Sequence, residues 1–256
     1  MPLIDSHCHL NYPGLVEDEA AVLDRARARG VGGFLNISTR QREWAEVVAA
    51  AERHPDVWAA IGVHPHEADQ HPDLGADALA AAAAHPQVIA IGECGLDYHY
   101  DKSDRAAQQD RFRAHLEAAR QTKLPVIVHT RDAEDDTVAI LRETPEVTGV
   151  LHCFTGSRWL AEQGLGLGYF ISLSGIVTFK NARDLQETAK VVPDDKLLVE
   201  TDAPFLAPVP NRGRPCEPAF VADTAAFVAG LRGVDAQEIA RQTTANFFQL
   251  FSKAAP

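Results

Sequence analysis

Apolar runs typical of buried strands alternate with amphipathic or alanine-rich stretches along almost the whole chain. The predicted strands are PLID, GGFLNIS, VWAAIGV, VIAIGE, PVIVH, TGVLHC, YFISLSG and KLLVE. The stretches between them, such as EDEAAVLDRARAR and DRAAQQDRFRAHLEAARQT, are predicted to be helices, and two further predicted helices close the chain. Several of these helices end in sequences that commonly stop a helix, such as RARG, ERHP and AHPQ.

Eight apolar strands, each followed by a helix, predict an α/β protein with a (β/α)8, or TIM, barrel. A doubly wound open sheet is the alternative, but no GxGxxG motif follows the first strand and the chain contains no P-loop. No linker, low-complexity tract or charge block divides the 256 residues. We therefore expect a single TIM-barrel domain over residues 1–256.

The composition narrows the class of protein. A net charge of −12 argues against a broad basic surface for duplex nucleic acid, although metal ions and a few arginines can still form a small phosphate site. The four cysteines form no CxxC pair, which suits a reducing compartment. The sequence shows neither a signal peptide nor an apolar stretch of about 18 residues. We expect a cytoplasmic monomer without membrane contact.

Residues of metal-ligand type cluster at the C-terminal ends of the predicted strands, where the active sites of such barrels lie. They stand at five of the eight ends and are His7, His9, Glu93, His129, His152 and Asp202. A lone histidine at a strand end is usually structural, but this many ligands on one mouth predict a metal site. The set combines imidazoles with carboxylates and contains no thiolate, so it suits zinc, manganese, magnesium or iron in an open catalytic site.

Glu93 lies on a strand between the others and is predicted to bridge two ions. Two such ions can bind one water, lower its pKa and hold the oxygens of a phosphoryl group. Asp202 is predicted to bind metal and to accept the proton of that water, which makes Asp202 and Glu93 the candidate catalytic residues. Glu200 shares the strand face of Asp202 and either orders the site behind the ligands or forms a plain salt bridge. Cys94 and Cys153 adjoin ligands, but strand alternation predicts that both are buried and turned away.

Seven stretches carry a resemblance to a known family: IDSHCHLN, IGVHPH, IGECGLDY, PVIVHTRDA, HCFTGS, SGIVTFKNA and VETDAPFLAP. In them the chain resembles, over nearly its whole length, the TatD family of metal-dependent deoxyribonucleases, which are amidohydrolase-like barrels. The resemblance implies hydrolysis of DNA phosphodiesters, typically from the 3′ end of single strands, with magnesium or manganese. It implies one ion held by His7, His9, Glu93 and Asp202, and a second held by Glu93, His129 and His152.

The resemblance also implies substrate contacts. His64 matches a residue that meets substrate phosphate, whereas its neighbour His66 has no such match. The stretch APVPNRGRPCEPAFV resembles a basic loop in which Arg212 and Arg214 meet phosphate, and a solvated loop is the alternative. The family commonly carries asparagine before EP, where this chain has Cys216, so the contacts of this loop are open.

Three hypotheses from different classes follow. The first is a metal-dependent 3′–5′ exonuclease whose substrate is single-stranded DNA. The second is a barrel hydrolase of a small-molecule ester, amide or cyclic substrate, because fold and metal do not fix the substrate. The third is an inactive binding protein, against which the complete ligand set with Asp202 argues. The dependence of substrate binding on ionic strength distinguishes the first two hypotheses. Binding of DNA through its phosphates weakens steeply as ionic strength rises, whereas binding of a small neutral substrate changes little.

Overall fold

The structure is a computed structural model that describes residues 2–254 of the chain. In this range eight strands form one sheet, in which each strand pairs in parallel with the next along the chain. These strands are β1 Leu3–Cys8, β2 Val31–Ile37, β3 Val57–Ile61, β4 Val88–Asp97, β5 Val126–Arg131, β6 Gly149–Leu151, β7 Phe170–Leu173 and β8 Leu197–Val199.

A helix follows each strand and packs outside the sheet. The helices within residues 2–254 are α1 Glu19–Ala28, α2 Trp44–Arg53, α3 Ala76–Ala83, α4 Arg105–Thr122, α5 Glu134–Leu141, α6 Arg158–Gly166, α7 Arg183–Val191, α8 Val221–Arg232 and α9 Ala236–Leu250. None of them is long and apolar enough to cross a membrane.

The sheet closes where the first strand meets the last. Cys8 forms a parallel bridge with Ala203, just beyond the end of β8, and the backbone N–H of Asp202 donates to the carbonyl of His7 at 2.9 Å. Lower in the barrel the Ser6 hydroxyl donates to the Val199 carbonyl at 3.0 Å. Closure of β1 on β8 distinguishes a barrel from the doubly wound alternative, and the predicted (β/α)8 fold is confirmed.

The interior of the barrel changes from apolar to polar along the strands. At the N-terminal end, one buried cluster takes residues from all eight strands, including Ile4 and Trp58. Phe247 of α9 and Phe251, which follows this helix, cover it. Two residues further along β1, the hydroxyl of Ser6 lies 3.1 Å from that of Ser172. Beyond this level the interior holds ionisable side chains. A second apolar layer lies between the sheet and the helices.

Candidate metal centre

A cavity of about 840 Å³ opens at the C-terminal ends of the strands. Every strand contributes to its lining through a residue at its end or in the loop after it, namely His9, Thr39, His64, Glu93, His129, His152, Phe179 and Asp202. The parallel direction of the strands brings these ends to one mouth although they are far apart in the sequence.

Glu93 lies at the centre of the predicted ligands. Its Oε1 is 2.7 Å from Nε2 of His152 and 3.4 Å from Nδ1 of His129. The same oxygen is 3.3 Å from Nε2 of His64. Its Oε2 lies 3.5 Å from Nε2 of His7. One buried carboxylate thus faces imidazoles from four other strand ends, as expected of a bridging ligand.

A second group forms where β1 meets the loop after β8. The Nε2 atoms of His7 and His9 are 3.3 Å apart, and Oδ1 of Asp202 lies 3.6 Å and 3.4 Å from them. Nδ1 of His9 lies 2.9 Å from the carbonyl oxygen of Ile37. Because this carbonyl can only accept, Nδ1 carries a proton, and Nε2 is the nitrogen that faces the cavity.

The donor atoms fall into three overlapping groups, each with its atoms within 4.8 Å of one another. They are His7, Glu93 and His152; His7, His9 and Asp202; and His64, Glu93 and His129. Within residues 2–254, His129 and His152 share no group, although both face Oε1 of Glu93. His64, expected only to meet substrate, therefore also lies among the donors.

The carboxylates of this centre are held in their charged form. Burial opposes the charge of Glu93, but the charges of His152 and His64 and hydrogen bonds outweigh it, so its pKa lies well below the ordinary value. Burial likewise opposes the charge of Asp202, but a hydrogen bond from His9 outweighs it and lowers the pKa. Ionised carboxylates are the form that binds metal.

His152 shows the matching effect, whereas burial lowers the pKa of His7 and of His64. Burial lowers the pKa of His152, but the charges and hydrogen bonds of Glu93 and Glu200 outweigh it and raise this pKa well above its ordinary value. Carboxylates that draw protons onto adjacent imidazoles attract positive charge, and a divalent cation displaces such protons when it binds. Buried nitrogen and oxygen donors converge here without a thiolate, so the donor set fits divalent cations.

Glu200 lies behind this group and is fully buried. Its Oε1 accepts a hydrogen bond from the backbone N–H of Cys153 at 2.7 Å and lies 3.2 Å from Nδ1 of His152. Within residues 2–254 it contacts no lysine or arginine closely enough for a salt bridge. The contact with His152 fits both alternatives left open by the sequence, the orientation of this imidazole and a salt bridge with it.

The expectation for Cys153 was wrong. Cys94 is buried as predicted, but Cys153 is only partly buried, lines the cavity and has its Sγ 3.2 Å from Oγ of Ser174. The reason is that β6 ends at Leu151 and Cys153 adopts a φ of 42°, so strand alternation no longer applies at this position.

Asp97 is a site residue that the sequence analysis missed. Its Oδ2 lies 3.0 Å from Nε2 of His129 and 3.0 Å from Nε2 of His66. Burial raises its pKa, but hydrogen bonds from these two imidazoles outweigh burial, and the pKa is lowered. The predicted strand stopped at Glu93, whereas β4 continues to Asp97. Alternation from Glu93 along the longer strand would have placed Asp97 on the same face.

Asp5, at the base of the centre, also received no role from the sequence. It is buried, and its carboxylate accepts hydrogen bonds from Thr201 N at 2.9 Å and Thr201 Oγ1 at 2.6 Å. Burial is the main cause that raises its pKa to about 8. The contacts fasten β1, which leads to His7 and His9, to the segment that carries Asp202.

The two predicted phosphate-binding arginines differ in position. The guanidinium of Arg212 lies over the ring of Phe179, 4.3 Å from the ring centroid, and Phe179 lines the cavity. Arg214 is exposed and does not belong to the described lining. Cys216, at the departure from the family pattern, is buried below this loop.

A protein-family model described as TatD related DNase matches residues 4–252. The chain belongs to the TatD-related DNase family. It is 45% identical over 256 residues to the uncharacterized metal-dependent hydrolase YcfH of Escherichia coli K12, covering 98% of this chain and 96% of YcfH. It is 39% identical over 258 residues to the 3′-5′ ssDNA/RNA exonuclease TatD of Erwinia tasmaniensis, covering 98% and 100% of the two chains.

A solved structure of the family has the same fold. The crystal structure of YjjV, a TatD homolog from Escherichia coli K12, matches with a TM-score of 0.92 at 34% identity and covers 99% of this chain and 98% of that chain. Membership of the TatD-related DNase family confirms the predicted resemblance and the prediction of a metal-dependent hydrolase.

Proposed function

We propose that this hydrolase is a 3′–5′ exonuclease whose substrate is single-stranded DNA. The observation that carries the proposal is the convergence of ligand atoms from distant parts of the chain around Glu93, at the floor of an open cavity. The family and the printed name of the Erwinia relative support a nucleic-acid substrate. Cations on the rim of an otherwise acidic protein support a phosphate-bearing one.

The proposed ligands divide between two ions, of which magnesium, manganese and zinc are the candidates. His7, His9 and Asp202 hold one, and His129 and His152 hold the other, with Glu93 shared between them. Bound divalent ions would lower the pKa of a water and offset the charge of a phosphate. The distances from Glu93 and Asp202 to the facing nitrogens support this division.

The residues around the ions have separate roles in the proposal. The ionised carboxylate of Asp202 accepts the proton of the attacking water, which its lowered pKa permits at neutral pH. Glu200 fixes the orientation of His152 from behind. His64, which lines the cavity 3.3 Å from Glu93, contacts the phosphate to be cleaved.

Arg212 and Arg214 belong to the same loop after β8 and bind backbone phosphate in this proposal. Arg212 is the better placed, since it stacks on a residue of the cavity wall. Arg214 is exposed and binds the part of the DNA strand that lies outside the cavity.

The net charge of −12 favours a second candidate, the hydrolysis of a small uncharged ester or amide. Such an enzyme would use the same ions, but its substrate would make few contacts with the arginines on the rim of the cavity. Its cleavage of p-nitrophenyl acetate would exceed its cleavage of DNA and would not vary with ionic strength.

The test is a nuclease assay on a 5′-labelled single strand. Metal-stripped protein is compared with protein given magnesium, manganese or zinc. Digestion from the 3′ end shortens the labelled strand step by step, whereas digestion from the 5′ end releases a labelled mononucleotide at once. Absence of metal-dependent cleavage, together with turnover of p-nitrophenyl acetate, would favour the second candidate.

A further inference from the structure

Tyr100 presents an exposed aromatic ring at the mouth of the metal cavity. It follows β4 by three residues, its relative exposure is 54%, and it lines the cavity. Two cations lie over its ring: Nζ of Lys102 is 5.6 Å and Cζ of Arg131 is 5.0 Å from the centroid. We call Tyr100, Lys102 and Arg131 the Tyr100 platform.

A second cavity of about 320 Å³ continues from the first beside this platform. The two cavities share Thr130, Arg131 and Thr155 and therefore adjoin each other. The remainder of the second lining is His99, Asp132, Glu134 and Gly156. The metal centre therefore opens sideways into a polar groove.

The platform is tied directly to the metal centre. The backbone N–H of Tyr100 donates to Oδ1 of Asp97 at 2.8 Å, while Oδ2 of the same carboxylate contacts His129 and His66. The ring centroids of Tyr100 and His66 are 5.5 Å apart. The carboxylate of Asp97 thus contacts both His129, a candidate ligand, and the backbone of Tyr100 at the start of the groove.

The acids along the groove are already occupied by protein groups. Asp132 pairs with Nδ1 of His99 at 2.9 Å, and Glu134 accepts a hydrogen bond from the backbone N–H of Ser157 at 2.7 Å. Glu67, on the wall of the first cavity, pairs with Arg40 at 2.7 Å.

The platform cations, by contrast, have no such partners. Within residues 2–254, neither Lys102 nor Arg131 forms a salt bridge, and both are exposed. Some other exposed arginines pair with acids, as Arg158 does with Glu162 at 2.8 Å. Cations that remain unpaired in a chain of net charge −12 are available for an external anion.

We propose that the Tyr100 platform and the adjoining groove form a subsite for a nucleotide of a single-stranded chain, next to the nucleotide that is cleaved. The base takes the place of the cations over the Tyr100 ring, and the exposed side chains of Lys102 and Arg131 bind the adjacent phosphates instead. An aromatic face flanked by cations recognises an unpaired base with its phosphate, because duplex pairing keeps base faces covered. The inference rests on the proposed function and extends it from the reacting phosphate to the neighbouring nucleotide.

The test measures binding without turnover. Fluorescence anisotropy with a 5′-labelled oligo-dT is measured on manganese-loaded protein in the Asp202→Asn background, and cleavage is measured with Asp202 restored. Tyr100→Ala is compared with Tyr100→Phe, which keeps the aromatic face. Trp159→Ala is the matched control, because Trp159 is 42% exposed on α6 and lies outside both cavities.

Tyr100→Ala is expected to raise the Kd for oligo-dT about 5- to 150-fold, the range found when a base loses an aromatic partner. Tyr100→Phe and Trp159→Ala leave the Kd unchanged. An abasic strand of the same length removes the effect of Tyr100→Ala, because no base remains to stack. An unchanged Kd for oligo-dT in Tyr100→Ala, or an equal loss with the abasic strand, overturns the subsite.

A second arm tests the cations. Arg131→Ala is expected to reduce the slope of log Kd against log salt by about 0.7, the value for one phosphate contact on a single strand. Arg158→Ala, an exposed arginine outside both cavities, leaves the slope unchanged. An unchanged slope in Arg131→Ala overturns its phosphate contact.

The outcomes separate the two proposals. Binding that depends on Tyr100 without metal-dependent cleavage contradicts the exonuclease and keeps the subsite. Cleavage that is indifferent to Tyr100 keeps the exonuclease and overturns the subsite. A protein that neither binds nor cleaves the strand overturns both.

Discussion

The two ends of the barrel interior hold opposite chemistry although the same eight strands line both. At the N-terminal end, Ile4, Trp58 and their apolar neighbours pack against Phe247 of α9 and against Phe251, which follows this helix. At the C-terminal end, imidazoles and carboxylates crowd around Glu93.

The chain thereby separates stability from activity. The apolar end gains stability from buried area alone and requires no partner. The ionic end buries charged groups, which is costly unless a counter-charge accompanies them. A divalent cation supplies that counter-charge. We therefore expect substitutions at the two ends to affect different measurements.

The largest effect is expected at the ionic end, for Asp202→Asn. The amide cannot accept the proton of the attacking water, so kcat should fall about 10²- to 10⁴-fold, as for the loss of a general base. Unfolding in urea should change little, because Asn keeps the volume of Asp. Metal content, measured by elemental analysis, should show one weakened ion.

Glu187→Gln provides the control for Asp202→Asn, since Glu187 is an exposed acid on α7 outside the cavity. It should keep full activity and metal content. Near-native turnover of Asp202→Asn with its metal still bound would contradict the role proposed for Asp202.

The counterpart at the apolar end is Phe247→Ala. Phe247 is fully buried, with its ring 5.3 Å from that of Trp58 and 4.7 Å from that of Phe251. Truncation should lower the free energy of unfolding by about 3–5 kcal/mol, the usual cost of a buried phenylalanine. Urea unfolding measures the loss. A fall in kcat of the folded variant would show that the two ends are coupled.

Much of this arrangement could be predicted from the sequence. Apolar runs at regular spacing define the strands, and parallel topology sends every strand end to one mouth, so His7, Glu93 and Asp202 could be expected together without coordinates. Such reasoning works because it depends only on the direction and order of the strands. The alternation of strand-like and helical stretches along the sequence indicates both.

What could not be predicted depends on where strands end and how loops turn. Asp97 was missed because β4 is longer than its apolar run, and Cys153 was misplaced because β6 is shorter. Tyr100 lies in the loop after β4 and Arg131 ends β5, and no periodicity describes a contact between them. His115 lies in a stretch of the sequence that is typical of a polar helix, yet it is fully buried in α4.

His115 differs from the imidazoles of the metal centre, because it is an ionisable group that serves structure. Its Nε2 accepts a hydrogen bond from Val63 N at 3.0 Å, and its Nδ1 donates to the carbonyl of Arg111 at 2.6 Å. Burial is the main cause that lowers its pKa to about 4, from an ordinary value of 6.5. It is therefore neutral in the fold, and it holds α4 to the segment that leads to His64.

This shift predicts a loss of stability in acid. Below pH 6.5 the unfolded chain protonates His115 while the folded chain does not, so stability is complete above this pH and falls as the pH approaches about 4. At pH 5 the contribution of His115 should be smaller by about 2 kcal/mol than at pH 7.5. In His115→Gln, whose side-chain oxygen can still accept from Val63, the difference between the two pH values should shrink accordingly in urea unfolding. Equal pH dependence in the two proteins would exclude this role of His115.

The smallest effect is expected on the rim, where Arg212→Ala should raise KM for an oligonucleotide about two- to fivefold, the range of one exposed ionic contact. The corresponding change in Arg214→Ala should be weaker, because only Arg212 stacks on the cavity wall through Phe179. Neither variant should change unfolding in urea, since both residues are exposed. Steady-state kinetics at several salt concentrations measures the effect. An equal fall in kcat and kcat/KM for Arg212→Ala would instead indicate that Arg212 contacts the transition state. The ionic chemistry of the barrel would then extend from the strand ends to the loop after β8.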